Sequence, residues 1–189
     1  MHLDDEVTQI SAEDNSPRER CRRWVERVVV GLGLCPFAAP VIDGERLRFA
    51  VCEHADLASM LHFIVEEIDW LEDLDGPQTT LVIFPSGIDD FERFLDLVAA
   101  AEDVIEKVGK STAFQLAHFH PDYVFAGTEH EEPSNLTNRS PAPMLHLLRC
   151  EDVAEAVAQH PDPDGIPQRN IDLMRNLGVE GIRRLFDPV

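Results

Sequence analysis

Along this chain, apolar positions recur first with a helix's spacing and then with a strand's, and that alternation predicts the elements. Trp24, Val25, Val28, Val29 and Leu32 fall on one helical stripe. Ahead of them Ser16 caps, Pro17 takes the first turn and Glu19 completes a capping box, while Gly31 and Gly33 end the helix near Cys35-Pro36-Phe37. Residues 46–52 alternate polar with apolar, which suits a strand. Leu57, Leu61, Ile64, Val65, Ile68 and Leu71 make a second helical stripe, broken at Gly76-Pro77. Residues 80–84, Thr-Leu-Val-Ile-Phe, are β-branched and aromatic without interruption, the pattern of a strand buried on both faces, and stop at Pro85.

Ser86 is the expected cap of a third helix that buries Phe91, Phe94, Leu95, Val98, Val104, Ile105 and Val108 and ends at Gly109. Residues 114–120 and 143–149 then read as strands and 151–159 as a helix. A Pro-, Asp- and Gly-rich link at 160–167 leads to a last helix that starts near Gln168 and breaks at Gly178. The succession strand, helix, strand, helix, strand implies right-handed crossovers. The expected fold is therefore a single α/β domain over residues 16–189, with a mixed four-stranded sheet, three parallel strands joined by βαβ crossovers, and flanking helices. Strands 80–84 and 114–120 are expected to be neighbours in the core.

Charge narrows the partners. Against 16 basic side chains stand 36 acidic ones, a formal net charge of -20, which repels nucleic acid and anionic membrane surfaces at long range. Residues 1–15 carry Asp4, Asp5, Glu6, Glu13 and Asp14 without Lys or Arg and without periodicity, the composition of a disordered acidic tail rather than of a targeting peptide. The arginines 18, 20, 22, 23 and 27 that follow are placed to hold it. No stretch approaches the roughly 20 apolar residues of a membrane span, so a cytoplasmic protein is expected. Cys21, Cys35, Cys52 and Cys150 are far apart, which speaks against a structural zinc site and suits reduced thiols. Asn135-Leu136-Thr137 and Asn138-Arg139-Ser140 match the glycosylation sequon, which is idle without secretion.

Candidate chemistry gathers in three places. The connection 121–142 is long for a compact domain. Tyr123, Val124 and Phe125 can anchor it, and Asn135, Thr137, Asn138, Arg139 and Ser140 concentrate donors; they either hold a carboxylate or phosphate, with Arg139 as a bidentate fork, or satisfy one another. His118 and His120 share one side of a strand, and His146 can approach them from the next. Three imidazoles serve as structural hydrogen-bonding groups, as acid or base, or as ligands of a divalent metal such as zinc. Cys35 follows a helix C-terminus, where the dipole disfavours a thiolate, and is read as packed or substrate-facing ahead of nucleophilic. Arg149, Arg169 and Asn170 can extend the Arg139 pocket.

Three blocks occur together: Cys35-Pro36-Phe37; His118-Phe119-His120-Pro121 with Tyr123-Val124-Phe125-Ala126-Gly127; and Thr137-Asn138-Arg139-Ser140-Pro141 with Met144-Leu145-His146-Leu147-Leu148-Arg149. In these the chain, over roughly residues 17–185, resembles the family called domain of unknown function 1415. That resemblance implies no reaction. Two functions are carried forward. One is a small-molecule enzyme with His118, His120 and His146 as acid–base groups, and Cys35, Tyr123, Asn135, Asn138, Arg139, Ser140 and Arg149 around an anionic substrate. The other is a non-catalytic module for a metabolite or a partner protein.

Overall fold

A computed structural model describes residues 15–73 and 76–186. The expected acidic tail lies outside the described residues except at Asn15, which accepts hydrogen bonds from Arg20 at 3.1 Å and Arg23 at 3.3 Å.

The architecture is α/β, one mixed sheet with helices on both faces. Helix α1 (Pro17–Trp24) starts at Ser16, whose hydroxyl accepts from the Glu19 amide. It runs on into a π-helical turn, Val25–Val30. Helix α2 (Ala38–Asp43) leads to strand β1 (Leu47–Val51) and helix α3 (Leu57–Glu72). Strand β2 (Thr79–Ile83), helix α4 (Phe91–Lys107) and strand β3 (Phe114–Phe119) follow. A single 3-10 stretch, Pro133–Thr137, interrupts the long connection to strand β4 (Met144–Arg149). Helices α5 (Cys150–Gln159) and α6 (Ile166–Phe186) close the chain. Helix α6 kinks at Gly178, whose φ of 62° suits glycine.

Strand order is β1-β2-β4-β3, and this corrects the expected topology. Only β1 and β2 form a parallel pair; β4 lies antiparallel between β2 and β3, so residues 80–84 and 114–120 are not neighbours. Side-chain chemistry explains the order. Strand β4 buries Met144, Leu145 and Leu147, as a central strand must, whereas β3 exposes Gln115, which suits an edge. The long connection lets the chain turn back and insert itself.

Strand β2 is buried along its whole length. Val82, Leu145, Leu147 and Phe114 point to one side, into a core with Met60, Ile64 and Leu71 of α3 and Phe94, Leu97 and Ile105 of α4. Leu81, Ile83 and Met144 point to the other, against Trp24, Val25, Val28 and Met174. Helix α4 starts later than expected: Asp90, not Ser86, caps it by accepting from the Arg93 amide at 3.0 Å. Leu95 and Val108, expected inside, are exposed. Helix α2 was not anticipated, because a six-residue helix holding Pro40 has no apolar period. Its position places Cys35 just ahead of a helix start as well as after a helix end.

Candidate functional site

The strand register separates the three histidines. His118 pairs with Leu145, whereas His146 pairs with Ala117. Since alternate residues face opposite sides, His118 sits on the α3–α4 face and His146 on the other. The expected common cavity for His118, His120, His146 and Arg139 does not form.

His118 stacks on Tyr123, ring centres 5.5 Å apart, and meets the edge of Phe94 at 6.2 Å. His120, just past β3, is fully buried. Its Nδ1 accepts from the Asp122 amide at 3.0 Å, so Nε2 carries the proton and donates to the Ile88 carbonyl at 3.3 Å. Both ring nitrogens are used, and burial lowers the pKa of both His118 and His120. These two rings fasten β3 to α4 and the long connection. Among the described residues no three His, Cys, Asp or Glu side chains are grouped to hold a metal ion.

Within that connection the donors serve the backbone. Asn135, fully buried, accepts from the Phe125 amide and donates to the Glu129 carbonyl. Asn138 donates to the His118 carbonyl at 3.2 Å, and Ser140 to the Ala142 carbonyl at 2.6 Å. Arg139 donates to the carbonyls of Tyr123 at 3.2 Å and His130 at 2.7 Å. Its guanidinium braces a loop instead of opening onto a pocket. Arg149 likewise directs its fork at backbone carbonyls, those of Leu71 and Asp73 at the C-terminal end of α3 and of Pro77 and Gln78 just ahead of β2. Arg169 pairs with Asp162 at 2.7 Å, and Asn170 donates to the Leu34 carbonyl at 2.7 Å.

One cavity does gather sequence-chosen residues. It has a volume of about 320 Å³ and lies on the His146 face of the sheet, under the π-helical turn and between α2 and α5. Its walls are mostly apolar: Trp24, Val29, Val41, Leu81, Ala117 and Phe119 are among them, with Cys35, Thr79, His146, Arg149 and Asp152 supplying polarity. The π turn arises from bonds between residues five apart, as from the Gly31 amide to the Glu26 carbonyl at 3.0 Å, and the helix is then closed behind Gly33 by the Leu34 amide on the Val29 carbonyl at 2.9 Å. Such widened turns are frequent at functional sites, and here Trp24, Val25 and Val29 overhang the cavity.

His146 is its polar anchor. Thr79 has one hydroxyl proton and gives it to the Leu147 carbonyl at 2.6 Å, so the contact of His146 Nε2 with Thr79 Oγ1 at 2.7 Å must have the ring as donor. The neutral ring is thus held as the Nε2–H tautomer. Nδ1 is left as a bare lone pair with no hydrogen-bond partner among the described residues. Burial pushes the His146 pKa down to about 4, so the ring is uncharged at neutral pH. Cys35 is half-buried; burial raises its pKa, opposed by the amides of Phe37 and Ala38, which donate to the sulfur. The thiol stays neutral.

Sequence reasoning passed over Thr79, one residue short of the expected strand, and took Trp24 and Val29 as plain core. A polar pair, Thr79-Thr80, opening a fully apolar strand was the one available signal. Among the described residues no helix is long and apolar enough to cross a membrane. No curated protein and no solved structure matches the chain. The family model described as Protein of unknown function (DUF1415) matches residues 16–184, and the chain belongs to that family.

Proposed function

We propose that the protein binds a small, predominantly apolar molecule in the cavity beneath the π-helical turn, and that His146 Nδ1 accepts the hydrogen bond that orients it. The observation that carries this reading is an apolar cavity of about 320 Å³ whose polar anchor is a neutral histidine with a fixed tautomer. Small-molecule sites of roughly 300–1,000 Å³ are typically apolar with few convergent polar groups. Of the two functions drawn from the sequence, this favours the metabolite-binding module. An enzyme acting on an anion loses support, because Arg139 and Arg149 are committed to carbonyls and His118 and His120 lie across the sheet. We assign the protein to the cytoplasm, in keeping with four unpaired cysteines.

Trp24 lines the cavity while the second tryptophan, Trp70, is exposed, so a Trp70→Phe protein reports on the cavity by its own fluorescence. Titration with octan-1-ol should change that emission saturably and raise Tm. Ala117→Phe, which fills the cavity from β3, should abolish the response in a protein that remains folded. An emission that never saturates, or a filled cavity that still binds, would sink the proposal.

A further inference from the structure

We infer that the occupant is an amphipathic amine, its apolar body in the inner cavity and its ammonium at a mouth framed by Asp152 and Glu155; this rests on the binding role just proposed. A second cavity, of about 440 Å³, opens outside the first between α2 and α5. Phe37, Val41, Gln78, Asp152 and Ala156 line both, so the two are contiguous across these side chains. Their linings differ in kind. The inner space is walled by Trp24, Leu81 and Phe119, the outer one by Arg46, Glu155, Gln159 and His160. A molecule filling both must change from apolar to polar along its length.

The sign of the polar end follows from which groups lack partners. Inside, His146 offers an acceptor without a donor and the buried Trp24 Nε1–H a donor without an acceptor, so the inner cavity itself favours neither sign. At the junction Asp152 has 32% of its side chain exposed, and its Oδ2 is buried with no hydrogen-bond partner. The nearby Arg149 reaches it only at 3.6 Å, beyond hydrogen-bond length, since its fork is spent on backbone carbonyls. Glu155 accepts one hydrogen bond from Gln159 at 2.9 Å and stays exposed in the outer lining. Arg46 opposes these acids from an exposed position, where water and salt screen it. The whole chain, at a net charge of -20, draws cations toward this mouth. An ammonium at the mouth meets the unpartnered Asp152 Oδ2 and the exposed Glu155; a carboxylate there meets Arg46 and an Arg149 whose fork is already held by carbonyls.

The test compares octylammonium, octan-1-ol and octanoate at neutral pH and low salt, read by Trp24 emission in the Trp70→Phe protein. Octylammonium should bind roughly tenfold tighter than octanoate, with octan-1-ol between them. The preference should shrink in high salt and in both Asp152→Asn and the exposed Glu155→Gln. Equal binding of the three probes, tighter binding of octanoate, or an amine preference that survives both substitutions would overturn this inference while leaving the apolar cavity standing. Failure of all three probes would overturn both readings.

Discussion

His146 donates from Nε2 to Thr79 Oγ1 at 2.7 Å, and Thr79 passes its own proton to the Leu147 carbonyl at 2.6 Å, so one threonine sets the tautomer of the ring in the cavity. Thr79→Val keeps the shape of the side chain but removes both roles. It should destabilise the protein by about 1–3 kcal/mol in denaturant unfolding, because a buried carbonyl and a ring N–H lose their partner. The ring's nitrogen NMR signals should shift from one defined tautomer to a mixture. Thr79→Ser should restore the wild-type pattern; a wild-type pattern in the valine variant would contradict the assignment.

Stability should fall as pH drops from about 6.5 to 4. The folded His146 resists protonation down to about 4, below the ordinary value of 6.5, while the unfolded chain takes up a proton near 6.5. Above that range both states are neutral and the residue adds no pH dependence; within it only the unfolded state binds the proton. His118 and His120, also lowered by burial, push the same way. His146→Gln should therefore flatten part of the slope, by on the order of 2–3 kcal/mol across the window. Parallel curves for wild type and variant would refute the buried neutral ring.

Arg149 holds the end of α3 against the sheet. Arg149→Lys keeps the charge but cannot span the carbonyls of Leu71, Asp73, Pro77 and Gln78, so about 1–3 kcal/mol should be lost. Amide exchange in the last turns of α3 should quicken, with the rest of that helix little changed.

Arg139→Lys should act on loop order and not on the cavity. The bonds to the Tyr123 and His130 carbonyls bridge the two ends of the long connection. Their loss should raise proteolytic cleavage within residues 121–142, while octan-1-ol affinity stays within about twofold. A large loss of affinity would put the guanidinium back in the site.

The four thiols should react in two classes. Cys35 and Cys150 are half-buried, whereas Cys21 and Cys52 are fully buried, with Cys21 pushed up to about 12 by burial. Limited alkylation of the native protein, read by peptide mass, should label the first pair first. A cavity ligand should protect Cys35 and leave Cys150 unchanged.

How far the chain alone carries is visible in particular residues. The stripe of Trp24, Val25 and Val28, a strand buried on both faces (expected at 80–84, found at Thr79–Ile83), the start at Ser16 and the break at Gly178 were all legible. Each depends on contacts or dihedral preferences within a few residues, which local spacing encodes. Strand order was not, because pairing β4 between β2 and β3 is a competition among distant segments for the centre of the sheet. Nor was the division of the histidines: a one-residue difference in register, Leu145 rather than His146 opposite His118, sends a side chain to the other face. For Arg139 the sequence left open an anion or the loop itself as partner, and for Arg149 the acceptor was out of sight because Leu71 lies far along the chain. The cavity itself is space left between the π turn, α2, α5 and the sheet. No short window of sequence holds a gap between elements, so only their packing could create it.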